Sequence, residues 1–130
     1  MPQTKLLFYM EPNGESPVYA WFMALRKKDP KAWANCRVRL AQLANTGHEL
    51  RRPASDYLRD DIRELRAKHG NIQYRILYFF HGQNVAVLAH GMIKKGSGVD
   101  DTDIERAIQR REAFRQNPEA HTFVGETDNG

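Results

Sequence analysis

Arg66, Arg75, His90, Lys94 and Lys95 are the side chains of this 130-residue chain best suited to chemistry on a phosphate. A guanidinium makes paired hydrogen bonds to phosphate oxygens and stays protonated at any working pH. An imidazole titrates near neutrality and so serves as general acid or base; an ammonium serves when desolvation or neighbouring cations lower its pKa. Metal-free chemistry at a phosphate needs an attacking oxygen deprotonated, an in-line attack on phosphorus and stabilisation of the developing negative charge, and these residue types supply such groups.

The five residues fall in three β-like runs, 62–68, 72–80 and 84–95, separated by His69-Gly70-Asn71 and His81-Gly82-Gln83. Alternate residues of a strand point to opposite faces. With two-residue turns at His69-Gly70 and Gly82-Gln83, one face collects Leu65, Ala67, Tyr74, Ile76, Tyr78, Phe80, Val85, Val87, Ala89 and Ile93, an apolar set that belongs against helices. The other collects Glu64, Arg66, Gln73, Arg75, Leu77, Phe79, Leu88, His90, Met92 and Lys94, with Glu64 opposite Arg75 and Arg75 opposite His90. The plain reading is a cross-strand Glu64–Arg75 pair on a wet face, worth about 0.2–1 kcal/mol. One carboxylate does not neutralise Arg66, Arg75, Lys94 and Lys95 together, so a phosphate on this open face is the alternative. Phe79 on the same face is placed to stack a base.

The elements that must hold this face are legible from spacing. A strand is expected over 4–10, ended by Glu11-Pro12-Asn13-Gly14. Ser16-Pro17 and Asp29-Pro30 are helix starts, and Val18, Trp21, Phe22, Leu25 and then Trp33, Cys36, Leu40, Leu43 recur three and four apart, so an αα-hairpin is expected over 16–46. Residues 48–60 show no clear period and contain Pro53, which reads as a connection. A third helix is expected over 100–117, opened by an acidic first turn with Thr102 and Glu105 at capping-box spacing. Residues 118–130 read as a polar, mobile tail in which Phe123-Val124 is the one apolar pair to dock. The fold class is α+β: an antiparallel-rich sheet, with the meander spanning 62–95, covered on one side by helices, in a single domain over 1–117.

Charge agrees with an anionic partner. Residues 31–98 carry 12 Lys+Arg against 5 Asp+Glu, whereas residues 99–130 carry 4 against 8. The middle is basic, and neutralised phosphates release counterions. Arg37, Arg51 and Arg52, outside the meander, are candidates for RNA contact. A single cysteine, Cys36 on an apolar helical stripe, excludes an internal disulfide framework and reads as core. The five histidines show no HxH or HExxH spacing, and GxGxxG, GxxxxGK[ST] and GxSxG are absent, so no metal or cofactor is expected. No apolar run approaches a membrane span and no secretory signal stands at the N-terminus, so the cytoplasm is the expected location.

Asp61-Ile62-Arg63-Glu64-Leu65-Arg66, Tyr74-Arg75-Ile76-Leu77-Tyr78-Phe79-Phe80 and Leu88-Ala89-His90-Gly91-Met92-Ile93-Lys94-Lys95, in that order and followed by Asp103-Ile104-Glu105-Arg106-Ala107, resemble the phage-derived HigB-like branch of the RelE/ParE toxin superfamily. Asn13-Gly14-Glu15-Ser16-Pro17-Val18 is similar to its entry into the first helix. The resemblance implies a RelE-like fold and a type II toxin–antitoxin toxin that cuts messenger RNA, usually in the ribosomal A site, silenced by a helix-turn-helix, HigA-like antitoxin. It implies that Arg66, Arg75, Lys94 and Lys95 hold and polarise the scissile phosphate. Many relatives also use a tyrosine, histidine or aspartate near the C-terminus; here no tyrosine follows Tyr78, and the tail offers His121. Two alternatives on the same fold are a non-catalytic, gyrase-directed inhibitor like the ParE branch and an RNA-binding prophage remnant.

Overall fold

The computed structural model describes residues 3–125. The first strand, β1 (Lys5–Tyr9), leads into helices α1 (Pro17–Lys28) and α2 (Pro30–Thr46). Ser16 Oγ accepts from the Tyr19 N–H and Asp29 Oδ1 from the Ala32 N–H, so both expected starts are real N-caps followed by proline. Four strands follow, β2 (Ser55–Arg59), β3 (Ile62–His69), β4 (Ile72–Phe80) and β5 (Val85–Ile93), then α3 (Asp101–Gln116) and the two-residue β6 (Thr122–Phe123). The sheet order is β2-β3-β4-β5-β1-β6, with only the β1–β5 pair parallel. The class is α+β. Among the described residues no helix is long and apolar enough to cross a membrane.

Three expectations are corrected. The stretch 48–60 is not all connection: Ser55–Arg59 is an edge strand, its pairing with β3 carried through a register shift after Tyr57. Residues 118–123 are not a free tail, because a 3-10 turn and β6 close the far edge against β1; residues 126–130 of that expected tail lie outside the described residues. The sheet is also covered on both faces. Phe8, Phe22, Leu40, Leu43, Leu65, Ile76, Tyr78 and Leu88 pack with α1 and α2, while Leu7, Ile62, Leu77, Phe79, Val87 and Ala89 pack on the other side against Ala107 and Phe114 of α3.

The last set departs from the expected faces for a local reason. The β3–β4 turn is Gly70-Asn71, with His69 paired to Ile72, which moves Arg66 opposite Arg75 and Glu64 opposite Leu77. In the β4–β5 pair Leu77 faces His90 but Tyr78 faces Leu88, so Ala89 is an extra residue in a bulge. One added residue exchanges the faces on one side of it. Leu88 therefore joins the helical-hairpin face, whereas Val87 and Ala89 turn to α3, and beyond the bulge His90 and Met92 regain the expected face.

Helix α3 is fixed by charge as much as by packing. Arg59 bridges to Asp101 and Glu105 at 2.7 and 2.9 Å, and Arg111 donates to the Asp60 carbonyl. The expected Thr102/Glu105 capping box does not form: Asp100 is the N-cap, without a side-chain cap bond, and Glu105 is drawn to Arg59 instead.

Candidate functional site

β2 stops pairing at Ser55, opposite Leu65, so the outer edge of β3 beyond that point needs other partners. The Ala54 carbonyl accepts from the Arg66 N–H, and α2 supplies the rest. Arg39 Nε donates to the Arg66 carbonyl at 2.7 Å and Asn35 Nδ2 to the Lys68 carbonyl at 2.8 Å. These bonds satisfy an otherwise open edge and bring a third cation beside two others. The result is a shallow cleft of about 300 Å³ lined by Arg39, Pro53, Arg66, Ala67, Lys68 and Gln73. Its lining contains three cations and no carboxylate.

Next to two residues of this lining, Arg66 and Gln73, lies a buried ion pair. Arg75 is 1% exposed and Glu64 6%. Arg75 Nε stands 3.1 Å from Glu64 Oε1, in contact by charge though off line for a hydrogen bond, while Nη1 donates to the Tyr74 carbonyl at 3.0 Å. Glu64 Oε2 is 3.8 Å from Arg66 Nε, so one carboxylate lies between the two guanidiniums. Burial pulls the Arg75 pKa down and Glu64 pulls it back up. Arg75 is thus a buried neighbour of the cleft and not a hand reaching into solvent, whereas the Arg66 side chain is about one-third exposed at 32%.

The structure brings together only part of the expected set. Arg66 lines the cleft, and Arg75, its cross-strand partner, is buried beside it. Lys94 is tied to the cleft wall because its N–H donates to the Gln73 carbonyl, and the exposed Lys95 follows. His90 is turned elsewhere: Nε2 is 2.7 Å from Asp103 Oδ1 on α3. Desolvation, partly offset by Asp103, lowers its pKa below the ordinary 6.5. Phe79 is fully buried against Phe114, which corrects its expected role in stacking a base. Arg51 and Arg52 are exposed just before Pro53 at the lip, Arg52 paired with Asp56 at 2.7 Å. Arg37 stacks over Trp33, 5.5 Å from the ring centre, on the helical hairpin. His121 is buried, stacked on Tyr9, with Nδ1 2.7 Å from the Met10 carbonyl, and takes no part in the cleft. Burial pushes the Cys36 thiol up to about 12, as fits a core residue.

Arg39 and Lys68 were absent from the expected site. Lys68 carried a signal, two residues from Arg66 on the same strand face; Arg39 carried none, because its helix meets β3 only in the folded chain. Among the described residues no group of three His, Cys, Asp or Glu side chains is placed to hold a metal ion.

Residues 21–112 match the family described as phage-derived protein Gp49-like (DUF891). The chain belongs to this family. No significant match was found among curated proteins. The Gp49-like match spans α1 through most of α3, and so covers every residue of the cationic cleft.

Proposed function

We propose that this Gp49-like protein is the toxin of a type II toxin–antitoxin system, with a RelE-like fold and HigB-like activity, that cuts messenger RNA on the ribosome. The observation that carries the reading is the cleft of Arg39, Arg66 and Lys68, with no carboxylate in its lining. Three cations held together at neutral pH repel one another, and a phosphate relieves that repulsion. Membership of a phage-derived family and the resemblance of the three strand motifs support the same reading.

In this mechanism the scissile phosphate sits between Arg66, Lys68 and Arg39, whose donors stabilise the charge that grows on its non-bridging oxygens. The 2′-oxygen attacks phosphorus as its proton passes to a base, the P–O5′ bond breaks, and an acid protonates the 5′-oxygen. The products are a 2′,3′-cyclic phosphate and a 5′-hydroxyl, and DNA is spared because it lacks the attacking group. Lys94 and Lys95, beside Gln73, are the acid–base candidates; His90 is turned to Asp103. Arg37, Arg51 and Arg52 contact ribosomal or messenger RNA, and a HigA-like antitoxin silences the toxin by laying acidic side chains over the cleft. The protein acts in the cytoplasm, where its substrate is translated.

The test is direct. Purified protein with translating ribosomes and a short message yields fragments ending in 2′,3′-cyclic phosphate and beginning with 5′-hydroxyl. Inhibition of gyrase supercoiling with no cut message would replace this reading by the non-catalytic one.

A further inference from the structure

At the other end of β3 lies a second cleft of different chemistry. It has a volume of about 270 Å³ and is lined by His48, Asp61, Arg63, Phe80, Gly82 and Arg115. Arg63 and Lys68 are five residues apart on one strand, which separates the two clefts by about 17 Å. His48, exposed, stacks on Phe80 with ring centres 3.7 Å apart and planes 18° apart. The Arg63 guanidinium lies over two rings at once, 5.9 Å from the centre of Phe80 and 5.4 Å from that of Tyr57. Among the described residues Arg63 has no carboxylate partner. Tyr57 is 48% exposed and the only aromatic among the exposed large hydrophobic side chains described. Its hydroxyl accepts the Asp61 N–H at 3.1 Å, which fixes the ring before any ligand arrives.

This is a poor phosphate site, because the Asp61 carboxylate belongs to the lining. It suits a flat group with hydrogen-bond donors and acceptors on its rim, stacked on a ring and flanked by cations. We infer that this cleft takes an unpaired base of a single-stranded RNA, with the His48–Phe80 stack and Tyr57, which lies just outside the lining and is joined to it by Arg63 and Asp61, as platforms, and Arg63 and Asp61 at the base edge. The site rests on the reading of the protein as RNA-directed but not on catalysis. It lies beyond the strand edge along which an RNA held at Arg66 would run, past Pro53 and β2, so it reads a nucleotide away from the cut.

The probe is a fluorescently labelled ten-nucleotide RNA of mixed sequence, 2′-O-methylated so that it cannot be cut, titrated with the full chain by anisotropy. Tyr57→Leu is expected to weaken binding about tenfold with an unchanged slope of log affinity against log salt, since stacking involves no counterion release. Arg66→Ala is expected to lower that slope by about one, as loss of a phosphate contact does. Tyr57→Phe, which keeps the ring, retains most of the affinity and shows that Tyr57→Leu acts through stacking. Binding of this probe by a protein that leaves a ribosome-bound, unmethylated message uncut would leave this site standing while the nuclease reading falls. The inference is overturned if the wild type does not bind the oligonucleotide, or if Tyr57→Leu binds it as tightly as wild type. Intact RNA binding by Tyr57→Leu with loss of neutralisation by the antitoxin would make the surface a protein contact instead.

Discussion

The two ends of β3 show how one strand can present two chemistries. At the Lys68 end the edge is capped by α2, and Arg39, Arg66 and Lys68 meet with no carboxylate in the lining. At the Arg63 end rings dominate, and Arg63 and Arg115 share the cleft with Asp61. The first arrangement favours a compact anion; the second favours a flat, rim-polar group. The difference comes from the partners each end meets, a helix adding Arg39 at one, and at the other the 3-10 turn after α2 and the β2–β3 turn adding His48 and Asp61.

The largest effect is expected at the buried pair beside the first cleft. Arg75→Ala leaves Glu64 buried with its closest partner gone and should lower stability by about 3–5 kcal/mol, read from urea unfolding. The double variant Glu64→Leu/Arg75→Met should recover most of that loss, since it buries no unpaired charge. An Arg75→Ala protein as stable as wild type would mean that the pair is not the buried pair described.

Next in size is a change confined to one end. Lys68→Glu places a carboxylate in the cation cleft, making it resemble the other in charge, and cutting is expected to fall by at least about tenfold through like-charge repulsion. Melting temperature should barely move, since Lys68 is exposed. Unchanged cutting would remove Lys68 from the phosphate site.

The helices were legible because their signals are local. Ser16-Pro17 and Asp29-Pro30 act within one turn, and the three-and-four spacing of Trp33, Cys36, Leu40 and Leu43 needs no partner to be read. The sheet faces were legible only up to the bulge: a tight turn is a local guess, and an extra Ala89 is decided by packing on both sides of β5. Edge strand β2 was hidden by Pro53 and by the absence of a clean alternation. Arg66 and Arg75 were found because three strands stand consecutively in the chain, but the burial of Arg75 and Phe79 depended on α3 closing over that face. The second cleft draws on positions 48, 61, 63, 80, 82 and 115, a set with no common period.

The smallest expected effect concerns His90, which shares a sheet face with Arg75 but turns to α3. Its pKa is lowered in the fold, chiefly by desolvation, so the unfolded chain binds its proton more readily. Its contribution to stability is complete above the unfolded value near 6.5 and is lost as pH falls toward the lower folded value. Melting temperature measured between pH 7.5 and 5 should therefore fall less steeply in His90→Gln than in wild type. If that substitution leaves the stability profile alone and shifts the pH profile of cutting, His90 belongs to the acid–base pair after all.

The central claim is that the cleft around Arg66 holds the scissile phosphate, and single-turnover cutting of a ribosome-bound message by Arg66→Ala tests it most directly. Loss of a donor to the developing charge is worth about 10²–10³ in rate. The account predicts a fall of that order, with the melting temperature preserved. Cutting by Arg66→Ala at the wild-type rate would contradict it.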